Sequence, residues 1–380
     1  MTVKRRGHGE GSIYQRKDGR WVASISLEHR KRKYFYGDTR KEVQEKLKVG
    51  LREQQQGTLV TAPQQMLKGF LEQWLEEVHK PGVRISTYAR YRGLLNNHLI
   101  PALGNIQLQS LMPQQVQSFY ADKLKEGLKP KTIKLIHTVL HKAIDNAVRW
   151  NLVSRNVCDL VSLPTSDRYE MQPLTLEQCQ KLLTVARGHR LENMLAVAIA
   201  TGMRRGELLA LRWQDVNIEQ GRFHVRRTVD YIAAYGRRGY VENEPKTASG
   251  VRQIELPRFA IDALVQQRRY VEQLKEKCGA KWRECDLVFC NNTGEYLYPV
   301  LVHKEFKLLL KAADLPAIRF HDLRHTAATI LLSMDVHSKV VQELLGHSSI
   351  TVTMDLYSHV LPSMQHEAMG KFDSVFRQQP

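Results

Sequence analysis

The sequence has no long uninterrupted apolar segment. Its longest apolar run, at residues 194–200, has seven residues, whereas a helix that crosses a bilayer needs roughly 20. The basic start, MTVKRRGHGE, leads into no apolar stretch that could serve as a secretion signal. These absences argue against a membrane protein or a secreted one, and we expect a soluble protein of the cytoplasm.

Cysteine is scarce and shows no metal-binding or disulfide pattern. The chain has five cysteines, an odd number, and none forms a CxxC pair. They are Cys158, Cys179, Cys278, Cys285 and Cys290. We therefore expect reduced, mostly buried thiols rather than a disulfide framework or a cysteine-held zinc ion.

Acidic residues are few beside basic ones. The 380 residues include 57 Lys and Arg against 39 Asp and Glu, so the net charge is +18. Because 42% of the residues are hydrophobic and 25% are charged, we expect a folded chain of two or three domains. A folded chain this basic favours a polyanionic partner, and nucleic acid is the first candidate. An anionic membrane surface is the second, but no basic amphipathic helix with an exposed aromatic face stands out.

Basic charge is concentrated near the start of the chain. The first 56 residues contain 15 Lys and Arg against 7 Asp and Glu, a net charge of +8. The segment GSIYQRKDGRWVASIS alternates around a Lys-Asp-Gly turn and predicts a hairpin, and KRKYFY predicts a third strand. Thr39 and Glu42 form a capping box for a following helix. Such a sheet could lay one face in a DNA groove, although a small protein-binding domain would have a similar pattern.

The next part of the chain has the spacing of an all-helical domain. Residues 57–65 read as a linker, and from Phe70 to Val148 apolar residues recur at helical intervals. Two predicted helices start with basic, hydroxyl-bearing turns, which suit phosphate contacts but would also suit plain solvated helix ends. The candidate DNA contacts in these turns are Arg84, Thr87, Lys131, Thr132 and Lys134.

A polar stretch at residues 164–173 precedes a third, mixed region. Helical patterns there flank an alternating segment at residues 221–257, which predicts a small antiparallel sheet. We therefore predict an α+β multidomain protein: a small N-terminal three-stranded sheet plus helix, an all-α domain, and a mainly α catalytic domain with a small antiparallel sheet. The predicted domains are residues 1–60, 61–168 and 169–380.

Two arginines follow a Thr-Gly turn in the segment ATGMRRGELLALRWQDV. Arg204 lies at the start of a predicted helix that also carries Glu207. An arginine fixed there by packing could direct its guanidinium fork at two phosphate oxygens. Taken alone, such an arginine is equally typical of a surface ion pair.

A second group of polar residues lies in the segment FHDLRHTAATILL. His321 and Arg324 are three residues apart and share a helix face, while the apolar residues bury the rest. His321 and His325 are four apart, which raises the alternative of a zinc site. The segment lacks the glutamate of HExxH and a third ligand at suitable spacing, so we expect no metal and no cofactor.

The third group ends in a tyrosine. His347 lies in LLGHSS, Tyr357 follows ten residues later, and five of the 15 histidines fall between residues 321 and 359. Two arginines, two histidines and a tyrosine suit phosphoryl transfer with a covalent tyrosine nucleophile. The hydroxyl has a pKa near 10, so keeping it ionised at neutral pH costs roughly 4 kcal/mol. His321 or His347 could take its proton, and the sequence does not rank the two.

Together these segments resemble the tyrosine recombinases, or phage-type integrases. TGMRRGELLAL resembles the family's first arginine box, HDLRHT its His-x-x-Arg box, and LGHSSITVTMDLYSH its closing histidine and tyrosine box. PKTASGVRQIELP resembles its β-hairpin lysine motif. The resemblance covers nearly the whole chain, most closely after residue 174.

The resemblance implies a role for each residue. Lys246 becomes the general acid that protonates the leaving 5′ oxygen, although an exposed hairpin lysine is also what a solvated loop would have. Glu207 becomes a supporting residue, and Tyr357 becomes the nucleophile. The implied catalytic set is Arg204, Lys246, His321, Arg324, His347 and Tyr357.

The resemblance also implies an activity and partners. It predicts a site-specific recombinase that integrates or excises a phage or other mobile element in a bacterial host cell, through a 3′-phosphotyrosyl intermediate and a Holliday junction, without metal or ATP. The expected partners are double-stranded DNA, at core and arm-type attachment sites, and three further copies of the chain, which form a tetramer on the DNA. An excisionase or a DNA-bending protein is a further possible partner. A type IB topoisomerase and a DNA-binding regulator with an inactive site are the alternatives.

Overall fold

The computed structural model describes residues 11–27, 32–55, 59, 63–165, 172–234, 237–245, 248–357, 369 and 373. The chain divides into two units, Met1–Arg168 and Tyr169–Pro380. Within the described ranges, no helix is long and apolar enough to cross a membrane. The predicted division into three domains stays a prediction.

The first unit begins with a three-stranded antiparallel sheet in the order β1-β2-β3. Its strands are β1 (Ser12–Gln15), β2 (Trp21–Ser26) and β3 (Arg32–Gly37), and helix α1 (Arg40–Gln55) follows. The predicted hairpin turn is confirmed: the Gly19 N–H donates to the Arg16 carbonyl at 3.0 Å, and Gly19 has φ of +84°, which glycine adopts readily. The predicted cap is also present, because the Glu42 N–H donates to Thr39 Oγ1 at 3.2 Å.

The two faces of this sheet differ. On one face Ala23 and Ile25 of β2 pack in a small core with Val43 and Leu47 of α1. On the other face, Tyr14 of β1 and Tyr36 of β3 both lie opposite Val22 of β2. Tyr34 is two residues before Tyr36 in β3 and therefore lies on the same face. The face that α1 leaves uncovered therefore presents three tyrosines, each about half exposed.

A helical bundle follows in the same unit. Its helices are α2 (Leu67–Gln73), α3 (Ile85–Leu94), α4 (Ile100–Leu103), α5 (Pro113–Lys125) and α6 (Pro130–Arg149), with π-helical turns at Trp74–His79 and Leu95–Leu99. Helix α6 buries one continuous stripe, because its apolar residues recur every three or four positions. The stripe consists of Ile133, Ile136, Val139, Leu140, Ala143, Ile144 and Ala147.

The second unit is mainly helical. Its helices are α7 (Leu176–Val185), α8 (Glu192–Thr201), α9 (Arg205–Leu209), α10 (Arg258–Cys278), α11 (Pro299–Ala312), α12 (Asp322–Ser333), α13 (Ser338–Leu345) and α14 (Ile350–Tyr357). Helix α8 packs against both α10 and α12. This central position explains why α8 contains the longest apolar run of the sequence.

The alternating segment of the second unit forms two separate sheets. Strands β4 (Val216–Asn217), β5 (Arg222–Val225) and β8 (Arg252–Glu255) form a three-stranded sheet in that order, and β6 (Thr228–Ala234) pairs with β7 (Arg237–Asn243). Both sheets are antiparallel. The predicted α+β multidomain fold class is confirmed, although we expected one sheet here rather than two.

Candidate active site

The second unit brings the predicted arginine and histidine motifs together from separate elements. Arg204 immediately precedes α9 and Glu207 lies within it. His321 immediately precedes α12, and Arg324 lies in its first turn. His347 follows the end of α13.

Two of the predicted residues are described only in part or not at all. Tyr357 is the last residue of α14, and its side chain lies outside the described part of the structure. Lys246 lies outside the described residues altogether, between Pro245 and Ala248. Their predicted roles as nucleophile and general acid stay predictions.

The Thr-Gly turn at the end of α8 contacts Arg324. Gly202 has φ of +60°, and its carbonyl accepts a hydrogen bond of 3.0 Å from Arg324 Nη1. A β-carbon at this position would collide with Leu345 of α13. Glycine therefore suits the left-handed backbone at this position, and a larger residue would also force the Leu345 side chain to move.

Arg204 and Glu207 form the first pair of the site. Arg204 Nη1 lies 2.7 Å from Glu207 Oε1, and the Arg204 N–H donates to Glu207 Oε2 at 3.1 Å. Arg204 Nη2 donates to the Gly346 carbonyl at 3.2 Å. The Glu207 side chain is 2% exposed, whereas that of Arg204 is 39% exposed. The carboxylate therefore holds an arginine that remains open to a ligand.

Arg252 is a residue of the site that sequence reasoning missed. Its Nη2 lies 3.0 Å from Glu207 Oε2, so the carboxylate bridges two arginines. Burial alone would raise the pKa of Glu207, but the Arg252 and Arg204 guanidinium groups outweigh it and hold that pKa below its ordinary value. In the sequence, Arg252 is one arginine in an alternating strand, with nothing nearby to mark a buried partner.

Arg324 is the most deeply buried cation of the site. It is 2% exposed, and its Nη2 has no hydrogen-bond partner within the part of the chain that the structure describes. Burial and the positive charge of Arg204 lower the pKa of Arg324 to about 9, so the guanidinium stays protonated at neutral pH. A buried cation with an unused donor points to an anionic ligand.

Of the two predicted histidines, His347 is buried next to these cations and His321 is exposed. Partial desolvation and the Arg324 charge lower the pKa of His321, and burial with the Arg324 and Arg204 charges lowers the pKa of His347 to about 3. His347 Nδ1 lies 2.9 Å from the hydroxyl of Thr353, a fully buried residue of α14. Both imidazoles are therefore neutral at physiological pH, and His347 uses its Nδ1 for the contact with Thr353.

His325 lies beside this group without completing a metal site. Its ring stands edge-on to that of His321 with 5.2 Å between centroids, and burial lowers its pKa to about 4. Among the residues that the structure describes, no group of three or more His, Cys, Asp or Glu side chains could hold a metal ion. The His321–His325 pair thus gains no third ligand there.

A cleft of about 650 Å³ opens beside Arg204 and His321. Arg205, the second arginine of the Thr-Gly motif, also lines it, and burial lowers the pKa of that guanidinium. The arginines, histidines and carboxylate of the cleft are Arg204, Arg205, Asp230, His303, Arg319 and His321. Cations outnumber the single carboxylate, so the cleft suits a negatively charged chain.

The five candidate DNA contacts of the first unit lie at two helix starts. Arg84 immediately precedes α3, and its carbonyl accepts a hydrogen bond of 2.9 Å from the Thr87 N–H. Lys131, Thr132 and Lys134 lie in the first turns of α6. The Thr132 N–H donates in the same way to the Lys129 carbonyl at 2.8 Å, and the predicted DNA contacts stay predictions.

Comparison with known proteins identifies the family. Residues 172–364 match the model of the Phage integrase family, and residues 66–124 match that of the Phage integrase, N-terminal SAM-like domain. The chain belongs to the phage integrase family. This integrase is therefore an enzyme of the tyrosine recombinase class, as the sequence motifs predict.

Relatives span nearly the whole integrase. A tyrosine recombinase XerC-like protein of Caldanaerobacter subterraneus is 29% identical over 360 residues, which cover 91% of this chain and 92% of that one. A solved structure of the Tn1549 transposon integrase with transposon right end DNA is 22% identical, with a TM-score of 0.67 over 80% of this chain and all of that one. A lambda integrase tetramer bound to a Holliday junction is 18% identical, with a TM-score of 0.57 over 93% of this chain and 96% of that one.

The lowered pKa of the buried His347 predicts that the integrase loses stability as the pH falls. Because His347 has a pKa of about 3 in the folded protein and an ordinary value of 6.5, the unfolded chain binds the extra proton between these values. His321 and His325 act in the same direction. We expect the melting temperature to fall between about pH 7.5 and about pH 5.5, and to fall less in His347→Gln, as scanning calorimetry would measure.

The control for this experiment is His224→Gln, a change of the same kind at a partly exposed position of β5. That variant should keep the pH dependence of the unmodified integrase. An equal fall of melting temperature in His347→Gln and in the unmodified integrase would contradict the buried, neutral state of His347.

Proposed function

We propose that this integrase cuts and rejoins double-stranded DNA at specific sites through a 3′-phosphotyrosyl intermediate. The observation that carries the proposal is Arg324, a protonated guanidinium that is buried, donates to the Gly202 carbonyl, and finds no partner for its Nη2 in the described part of the chain. His347 lies near enough to Arg204 and Arg324 for their charges to lower its pKa. A DNA phosphate diester is the anion that such a site fits in a chain of net charge +18.

The two guanidinium groups have separate tasks at the phosphate. Arg324 donates from within the site, and the partly exposed Arg204, held by Glu207, donates from the side of the cleft. As the nucleophile attacks, the non-bridging oxygens gain negative charge, and preorganised cations stabilise that charge without rearranging. This supports transition-state stabilisation by the two arginines.

Tyr357 is the proposed nucleophile. It lies one helical turn beyond Thr353 in α14, and the Thr353 hydroxyl contacts His347. That contact attaches the helix carrying Tyr357 to the phosphate-binding histidine. A bound phosphate brings a negative charge that raises the pKa of both His321 and His347, so that either can accept the tyrosine proton.

Lys246 is the proposed general acid. The tyrosine oxygen replaces the 5′ oxygen at phosphorus, and the leaving oxygen must take a proton to depart as a hydroxyl rather than as an alkoxide. The lysine motif precedes β8, whose first residue Arg252 belongs to the site. This adjacency supports the assignment.

The reaction balances without an external energy source. One phosphodiester bond is exchanged for one phosphotyrosyl bond, and the 5′ hydroxyl of a partner strand reverses the step, so neither ATP nor metal is required. Exchange of one strand pair gives a Holliday junction, and four cleavage sites require four protomers. The lambda integrase tetramer bound to a Holliday junction supports this stoichiometry for a protein of the same fold.

The first unit supplies further DNA contacts in this proposal. The uncovered sheet face with its three tyrosines would bind arm-type sites, and the starts of α3 and α6 would bind phosphates of the core site. Relatives include the ICEBs1 integrase of Bacillus subtilis, 26% identical over 76% of this chain, which supports a role in moving a genetic element in the bacterial cytoplasm. An excisionase or DNA-bending protein would set the direction of the reaction.

The test is covalent capture of the cleaved strand. The integrase is incubated in EDTA with a nicked DNA duplex in which the short fragment that carries the new 5′ hydroxyl diffuses away after cleavage, and the products are separated under denaturing conditions. We expect a protein–DNA adduct attached through a 3′ phosphate. Loss of the adduct in EDTA with recovery on adding a divalent metal would overturn the metal-free mechanism, and the absence of any adduct would overturn the function.

A further inference from the structure

Three arginines line the cleft of the candidate active site, and two of them are held by a carboxylate. Arg204 Nη1 lies 2.7 Å from Glu207 Oε1, and Arg319 Nη2 lies 2.7 Å from Asp322 Oδ1. The third arginine is Arg205, the first residue of α9. Within the part of the chain that the structure describes, Arg205 forms no hydrogen bond and no ion pair.

The Arg205 guanidinium is half-buried near a single carboxylate. Asp230 of β6 lines the same cleft, and its charge partly offsets the effect of burial, which lowers the pKa of Arg205. A cation that is partly withdrawn from water and has no ion pair points to an anion from outside the chain.

The backbone beside Arg205 is held firmly. A β-carbon on Gly206 would lie 2.5 Å from Thr228 Oγ1 and 2.9 Å from the Val229 carbonyl oxygen, so α9 packs directly against β6. Val229 is itself part of the hydrophobic core. Because the arginine extends from a fixed backbone, only its side chain has to be ordered when a ligand binds.

The two neighbouring arginines serve different parts of the cleft. Burial and nearby charges, that of Arg204 among them, lower the pKa of His347. Burial and nearby cations, Arg205 among them, lower the pKa of His303 on α11. Successive residues of a helix point in directions roughly 100° apart, which agrees with this division. Arg205 therefore faces the α11 side of the cleft, and Arg204 faces the buried histidine.

We propose that Arg205 binds a second phosphate of the DNA backbone, next to the scissile phosphate on the same strand. The inference rests on the proposed function, in which Arg204 and Arg324 hold the scissile phosphate. A strand with one phosphate at Arg204 continues along the cleft that Arg204 borders, and a guanidinium fork suits two oxygens of the next phosphate. Arg205 acts in binding and takes no part in the bond exchange.

Asp230 distinguishes this role from a structural one. If Arg205 binds a phosphate, the Asp230 carboxylate repels that phosphate, and removal of its charge should strengthen DNA binding. If the two residues instead form a structural ion pair, removal of either should weaken the protein and its binding. The signs of the two effects are therefore opposite in the first case and equal in the second.

The test measures binding of an uncleaved duplex, of the sequence used for covalent capture, by fluorescence anisotropy at several salt concentrations. We expect Arg205→Gln to weaken binding about tenfold. It should also make the slope of log affinity against log salt concentration shallower by about 0.9, because one phosphate contact is lost. Arg205→Lys should keep the slope, since it keeps the charge. Asp230→Asn should tighten binding about two- to fivefold.

Uncharged methylphosphonates, placed at one phosphate at a time, locate the contact. Next to the cleavage position mapped by the adduct, a methylphosphonate should weaken binding of the unmodified integrase about tenfold. At that position it should cause no further loss in Arg205→Gln, because the two changes remove the same contact. Additive losses at every phosphate beside the cleavage position would overturn the proposed location.

The matched control is Arg258→Gln, the same change at an 89% exposed arginine that also lies beside an aspartate. It should keep the affinity and the salt slope. An unchanged slope in Arg205→Gln, or weaker binding in Asp230→Asn, would overturn the second phosphate site. An unmodified integrase that binds the duplex and forms no adduct would instead overturn the proposed function, so the two failures are distinguishable.

Discussion

Tyr357→Phe should abolish formation of the covalent protein–DNA adduct and leave DNA binding intact. The substitution removes one oxygen atom, and that oxygen is the proposed nucleophile at the end of α14. The cations of the site are unchanged, so phosphate binding should persist. We expect a loss of adduct formation on the order of 10⁴-fold or more, as when other enzymes lose a covalent nucleophile.

The measurement pairs adduct formation on the nicked duplex with binding of an uncleaved duplex by fluorescence anisotropy. Tyr270→Phe is the matched control, because it makes the same one-atom change on α10. The control should cleave and bind like the unmodified integrase. An adduct that still forms with Tyr357→Phe would show that another side chain attacks the phosphate.

Arg324→Ala should lower the rate of strand cleavage by roughly 10³- to 10⁵-fold, the range seen when a phosphoryl-transfer enzyme loses a transition-state arginine. Arg324 is 2% exposed, and its Nη2 has no hydrogen-bond partner among the residues that the structure describes, so this donor is available for the phosphate. Noncovalent DNA affinity should fall much less, since Arg324 is only one of the 57 Lys and Arg of the integrase.

Single-turnover cleavage with and without added guanidinium ion would distinguish chemistry from folding. The alanine variant leaves a buried space lined by the Gly202 carbonyl, and a small guanidinium ion that enters it should restore part of the rate. Arg283→Ala, which removes an arginine that is 70% exposed, should cleave normally. A rate for Arg324→Ala within about tenfold of the unmodified rate would contradict the assigned role.

Some features were predictable because nearby residues determine them. The turn at Gly19 and the buried stripe of α6 follow from turn chemistry and from helical spacing over a few residues. The same holds for the start of α12, where His321 and Arg324 are only three residues apart. The short spacing of these polar residues also indicates the candidate active site, because it does not depend on how distant segments meet.

Other features were not predictable because they depend on contacts between distant residues. Arg252 bonds to Glu207 across 45 residues and to Leu344 across 92, and neither partner marks the arginine in the sequence. Thr353, whose buried hydroxyl contacts His347, is one of two threonines at residues 347–360, and nothing in the sequence distinguishes it from Thr351. The separation of the alternating segment into two sheets likewise depends on how the strands pair, which their shared alternating pattern does not specify.

The charge balance of the Glu207 cluster links substrate binding to folding. Glu207 contacts Arg204 and Arg252. Arg324 lies near enough to Arg204 for the Arg204 charge to lower the pKa of Arg324. The cluster therefore has one carboxylate and three guanidinium groups. Two positive charges among these four groups are unbalanced in the free protein, and their repulsion opposes folding. A phosphate diester reduces that repulsion, and any ligand that binds only the folded state stabilises it. The integrase should therefore resist heat and proteolysis better on DNA than off it, because its substrate also acts as the counterion of its active site.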